Sequence, residues 1–141
     1  MLQEFKNETV LDFTRESDRK NQSAALELVQ SRLGREYDLI IGSGRIKSPK
    51  TFASINPGET SQAIGVFQSG TADQAERAIT AATSSFETWK RTPAQQRASL
   101  LFKSAELLRA RRHECNAWMI LEAGKSWVEA DADTAEAIDF C

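Results

Sequence analysis

Ala75, Ala78, Ile79, Ala82, Phe86 and Trp89 recur at the spacing of one helical stripe, which commits this stretch to an amphipathic helix and excludes a strand. Thr71-Ala72-Asp73-Gln74, just ahead of it, fits a capping box, in which a hydroxyl and an amide satisfy two orphan backbone donors. Thr92-Pro93-Ala94-Gln95 repeats the device, with proline at the first helical position, where its missing N–H costs least. The next stripe runs through Ala98, Leu101, Ala105, Leu108, Cys115 and Met119 to a stop at Gly124. Unbroken, that helix would hold ~30 residues and span ~45 Å, so a break is expected between Arg111 and His113. A last helix is expected from Ser126 or Trp127, carrying Val128, Ala132, Ala135 and Ile138. No glycine, proline or basic last turn follows Ile138, and the expectation is that the chain is the front of a longer protein.

The first half is more mixed. Ala24, Ala25, Leu28, Val29 and Leu33 predict a helix from about Arg15 to Leu33, with Thr14 or Ser17 as its cap and Gly34 as its end. "YDLIIGSGRI" reads as two short strands around a Gly42-Ser43-Gly44 turn. "TFASINPGETSQAIGVFQSG" repeats the form, with a strand ending at Ile55, a turn at Asn56-Pro57-Gly58, and a strand through Ile64 to Phe67. Pro57 removes a ladder donor and Gly58 permits positive φ. The chain is thus expected to be mostly α-helical, with short β-hairpin strands in residues 37–68. It divides into a helical extension (1–36), a strand-and-turn segment (37–70) and a helical segment (71–141).

With 18 Lys and Arg against 20 Asp and Glu among 141 residues, the chain has no electrostatic footprint for nucleic acid or an anionic membrane. Arg109, Arg111 and Arg112 stand among glutamates and read as a solvated helix face. No apolar run approaches a membrane span of ~20 residues, and "MLQEFKNETV" has acids where a signal peptide needs a basic region and an apolar core. A cytoplasmic protein is the expectation. Cys115 and Cys141 form no C-x-x-C, and His113 is the single histidine, which leaves little for a histidine metal site or a Cys–His pair. Cys115 reads as a core residue. "AGKS" has the end of a phosphate loop, but Met119 stands where the first glycine belongs. Gly124 is expected as a left-handed C-cap instead, with Lys125 facing the negative helix end. Glu129, Asp131, Asp133 and Glu136 do not converge as metal ligands at their spacing and read as solvated acids.

The order of the pieces is more specific than any one of them. "SINPG", then "AIGVFQSGTADQAERAITAATSSFETWKRTPAQQRASLLFKSAELLRARR", then "LEAGK" resembles the N-terminal stretch of the aldehyde dehydrogenase superfamily. "EAGKSWVEADADTAEAIDFC", with the lead "EFKNETVLDFT" and "LGREYDLIIGSGRI", is similar to its Δ1-pyrroline-5-carboxylate dehydrogenase subfamily. Ser126 departs from the proline usual after "GK".

The resemblance implies an α/β parent of aldehyde dehydrogenase fold, with residues 71–141 as the helical part of its NAD-binding domain. It implies NAD-dependent oxidation of L-glutamate γ-semialdehyde to glutamate in proline catabolism, by a monofunctional enzyme or one following a proline dehydrogenase domain. In such enzymes a cysteine thiolate attacks the carbonyl, hydride leaves to the nicotinamide, and a glutamate-activated water hydrolyses the thioester. The family's nucleophile, base and nucleotide loop lie downstream of the matched segment, so no catalytic or cofactor-binding residue is assigned here and the chain alone is expected to be silent. Relatives hold a monovalent cation at positions matching Ser54, Ile55 and Glu122, and oxygen donors suit a hard cation. Glu122 as a plain charged last-turn residue is the competing reading. A homo-oligomer acting on a small aldehyde, with no nucleic acid and no membrane span, completes the expectation. Another aldehyde dehydrogenase (semialdehyde or betaine-aldehyde type) or a helical interaction module are the alternatives.

Overall fold

The computed structural model describes residues 4–141. They pack as two units, residues 4–32 with Ala98–Cys141, and Leu33–Arg97.

The first unit is helical: α1 (Glu16–Gln30), the greater part of α3 (Ala94–Ala110), α4 (Arg112–Ala123) and α5 (Trp127–Phe140). Its apolar core joins Ala25 and Val29 of α1, Ala117 and Leu121 of α4, and Ala130, Ala135 and Ile138 of α5. The expected break falls at Arg111, whose φ of −112° and ψ of 20° leave the helical region. Gly124 closes α4 at φ 67°, where a side chain would be strained. Ser126 and Glu129 form a reciprocal capping box that starts α5.

Four readings need correction in this unit. Arg15, not Thr14 or Ser17, occupies the N-cap of α1, and no side chain bonds there. Thr14 is engaged with Asp12 instead, its N–H and hydroxyl both donating to Asp12 Oδ1. The buried face of α5 carries Ala130, Asp131, Thr134, Ala135 and Ile138, whereas Val128 is 68% exposed and Ala132 also faces solvent. Asp131 is buried and not a solvated acid, whereas Asp133 pairs with Lys125. Arg112 is buried, because α4 turns it onto Asp131 of α5.

That buried polar layer is fully bonded. Arg112 Nε donates to Asp131 Oδ1 at 2.6 Å and its terminal nitrogen to Oδ2 at 2.7 Å. Asn116 Nδ2 donates to Asp131 Oδ1 at 3.0 Å and to Gln22 Oε1 at 3.3 Å. The Thr134 hydroxyl donates to Asn116 Oδ1 at 2.6 Å. Gln22 of α1 donates through Nε2 to the His113 carbonyl. Among the described residues no buried side-chain nitrogen or oxygen lacks a partner, the condition under which such a layer is tolerated.

The second unit holds β1 (Arg35–Tyr37), β2 (Leu39–Ile41), β3 (Gly44–Ile46), β4 (Lys50–Asn56), β5 (Glu59–Ser69) and α2 (Ala72–Trp89). β2 and β3 form the expected hairpin, with Gly42 at φ 60°. β4 and β5 form the other, but β5 is the long central strand of a mixed sheet. Its far edge pairs in parallel with β1, which begins at Arg35, ahead of the expected strand segment. Gly58 is not at positive φ; the turn is held by Asn56 Oδ1, which accepts from the Gly58 N–H at 2.8 Å. The Thr71–Gln74 capping box forms as expected. Gln74 is also buried, and its amide donates to the Lys47 carbonyl. The Thr92 device differs from the expectation. Pro93 precedes the first helical residue, its carbonyl accepts from the Gln96 and Arg97 N–H groups, and the Thr92 hydroxyl donates back to Thr88.

Candidate functional site

Ser54 and Ile55 sit where β4 slips against β5. The register shifts between Ser54 and Ile55 and again between Ile55 and Asn56, so that Ser54 faces Gly65, Ile55 faces Ala63 and Asn56 faces Glu59. Such a bulge bends a strand and re-aims its backbone groups. The Asn56 side chain fixes its far end, accepting from Gly58 and donating to Gln62 Oε1 at 2.9 Å.

An aromatic row stiffens the sheet beside it. Tyr37 and Phe67 stack with centroids 5.2 Å apart, and Phe52 and Phe67 at 5.8 Å. The row passes over Gly65: a Cβ there would come within 2.9 Å of the Tyr37 ring and 3.1 Å of the Phe67 ring. Only glycine admits that approach.

Glu122 stands in the last turn of α4, two residues before the Gly124 cap, and is exposed. The structure thus makes Ser54 and Ile55 neighbours at one bulge and puts Glu122 in the other unit. Among the described residues no group of three or more His, Cys, Asp or Glu side chains gathers as a metal site.

Catalytic chemistry has little to use. Burial pushes the Cys115 thiol up from its ordinary range, with Arg111 opposing, which keeps it protonated at neutral pH and a poor nucleophile. His113 is half-buried, and desolvation pulls its pKa down, with Asp131 and Asp18 opposing. Its Nδ1 lies 3.3 Å from Gln22 Oε1.

One common cradle for a dinucleotide's phosphates is a glycine-rich turn between a strand and a helix. Gly42 and Gly44 instead lie in and beside the β2–β3 hairpin turn, and Gly124 ends α4. No described residue is therefore assigned to such a ligand.

The sequence reading missed the layer around Arg112 and Asp131. One signal was present: Arg112 and Asn116, four apart, share one face of α4, and with Ala117 and Leu121 they make up its buried residues.

Comparison with known proteins decides the family. The aldehyde dehydrogenase family model matches residues 45–141, more than half of the chain. The chain belongs to the aldehyde dehydrogenase family. Over 140 residues it is 47% identical to a 1-pyrroline-5-carboxylate dehydrogenase of Geobacillus thermodenitrificans, covering 99% of this chain and 27% of that protein. The solved 1-pyrroline-5-carboxylate dehydrogenase from Thermus with bound NAD superposes with a TM-score of 0.95 at 40% identity, over 99% of this chain and 27% of that one. Proline utilization A from Bdellovibrio bacteriovorus, inactivated by N-propargylglycine, gives 0.95 at 39%, over 98% and 14%. The chain therefore spans about a quarter of the length of the curated relatives it matches. It shares the aldehyde dehydrogenase fold over that quarter, and among its described residues no helix is long and apolar enough to cross a membrane.

Proposed function

We propose that this chain is the front part of a cytoplasmic NAD-dependent dehydrogenase that oxidises L-glutamate γ-semialdehyde, the open form of Δ1-pyrroline-5-carboxylate, to L-glutamate. The supporting observation is the reach of the similarity. The 47% identity extends over 99% of the chain, including the N-terminal lead that the family model, starting at residue 45, leaves out. A lead shared with one subfamily favours that subfamily's substrate over other aldehydes. NAD in the Thermus relative supports NAD as the oxidant.

In this reading the chain's own residues contribute framework. The two capping boxes, the bulged hairpin and the bonded polar layer hold helices and strands for other parts of the enzyme. The exposed Ile79, Phe86 and Trp89 of α2 and Leu100, Leu101 and Phe102 of α3 supply packing surfaces within a homo-oligomeric enzyme. Along α2, Ala82, Ser85, Phe86 and Trp89 line an open apolar groove of about 440 Å³.

The test is NAD reduction followed at 340 nm by the enzyme carrying this segment. Turnover with glutamate semialdehyde is expected; turnover with another aldehyde but not with this one would move the chain to a different subfamily. The isolated 141-residue chain is expected to show none.

Ser54, Ile55 and Glu122 are carried forward as proposed ligands of a monovalent cation. Their support is the donor chemistry, a hydroxyl or carbonyl and a carboxylate, and the family resemblance. Sodium-23 line broadening that is lost in Glu122→Ala is the expected result, and equal broadening in both proteins removes the assignment.

A further inference from the structure

Residues 4–12 form neither helix nor strand, yet they are seated at defined points. The Leu11 N–H donates to Asp131 Oδ2 at 2.7 Å, and the Glu8 N–H to Asp139 Oδ1 at 2.7 Å. Between them the Thr9 carbonyl accepts from Arg112 at 2.8 Å. Three of the holding contacts thus read main-chain groups, using two carboxylates of α5 and one guanidinium of α4. Side chains add to them at the rim: Asn7 donates to Asp139 Oδ2 at 2.9 Å, and Arg109 forks onto Glu8 at 2.8 and 3.0 Å. Arg112 also reaches Glu8 Oε1 at 3.4 Å.

The segment brings almost no apolar anchor. None of its residues is buried, and Phe5 and Val10 are 67% and 59% exposed. Beneath it lies the Arg112–Asp131 pair, which has its own bidentate bonds and a bond from Asn116 besides those to the segment. Segments with few buried apolar contacts open at a lower free energy than the core. Next along the chain, the turn closed by the Arg15 N–H on the Asp12 carbonyl and the edge contact of Phe13 on Trp127, centroids 5.4 Å apart, mark where firm packing begins.

We propose that residues 7–12 are a detachable strap, read through its backbone by Arg112, Asp131 and Asp139, which closes the polar seam between α4 and α5 and leaves it as one piece. The cradle accepts an extended chain by its alternating N–H, C=O and N–H groups, so its ligand class is a peptide backbone. Its occupant is this chain's own N-terminal arm.

Amide hydrogen exchange on the full chain tests this. The Glu8 and Leu11 amides are expected to exchange at least tenfold slower than an unstructured peptide, together, and faster than the core amides of α4 and α5. Asp139→Ala removes the rim anchor outside the buried layer, and should accelerate Glu8 and Leu11 together by about tenfold while α4 and α5 keep their rates. Arg109→Ala, at an exposed site, is the second variant should the first misfold. Acceleration of Glu8 alone would show two separate contacts and overturn the proposal. So would unprotected exchange of both amides in the parent chain, or rates that follow those of α4 and α5 throughout.

Discussion

Arg112 and Asp131, 19 residues apart, meet in a two-pronged ion pair at 2.6 and 2.7 Å, with 8% of the one side chain and 1% of the other exposed. A buried pair of this kind adds little over a well-packed apolar pair but is costly to break from one side, since the remaining charge stays in a poor solvent.

Asp131→Ala and Arg112→Ala are therefore each expected to lower the stability of the chain by ~3–5 kcal/mol. The joint replacement Arg112→Met with Asp131→Leu should cost much less than the sum. Urea unfolding of the four proteins measures both, and additive losses would show that the two side chains act separately.

Acid should loosen the first unit in two stages. Burial pulls the His113 pKa below its ordinary 6.5, so the unfolded chain binds that proton more readily than the folded one. Stability is complete above about pH 6.5 and falls as pH drops through the folded value. Asp131 follows at lower pH. Burial pushes its carboxyl up, but bonds from Arg112, the Leu11 N–H and Asn116 outweigh that and hold it below the usual 3.8. Its contribution is present above that value and lost as pH falls through the depressed one. His113→Gln should flatten the first stage in stability measured between pH 7 and 5, and an unchanged profile would reassign it.

Gly65→Ala should destabilise the second unit by ~1–3 kcal/mol, because the new methyl overpacks against the Tyr37 and Phe67 rings. The near-ultraviolet circular dichroism of the stacked aromatics should weaken with it. Tyr37→Ala in the same chain should relieve part of the cost.

Helix starts give a graded series. Thr71→Ala and Ser126→Ala each remove a capping-box hydroxyl and are expected to cost ~1 kcal/mol. Arg15→Ser should instead gain about 0.5–1 kcal/mol, since no side chain caps α1 there and the exposed Arg15–Asp12 ion pair that is given up adds little. Thermal melts suffice to rank the three.

What the sequence made legible was local. The capping box at Thr71, the start of the last helix at Ser126, the Gly124 stop and the break at Arg111 each depend on residues within a few positions of one another, and each formed where expected. The order of these pieces carried the family. Pairings across the chain stayed hidden. β1 has three residues, and its partner in β5 lies 30 positions away, so no alternation could reveal it. Arg112 stood among charged neighbours and read as solvated; only the packing of α4 on α5 turns it inward. The Thr14 and Ser17 readings failed because Asp12 engages Thr14 in its own turn first. The bulge at Ser54 and Ile55 was equally hidden, because the register slip is set by their partners Gly65 and Ala63 in β5.

The strap's bonds join stretches far apart in the chain: Leu11 to Asp131 and Glu8 to Asp139, across 120 and 131 positions. On the ribosome the arm is made well before the acceptors that receive it. At roughly 5–20 residues per second of synthesis, the arm waits on the order of ten seconds before anything can receive it. During that interval residues 4–12 are an open, charged thread, accessible to a protease or chaperone.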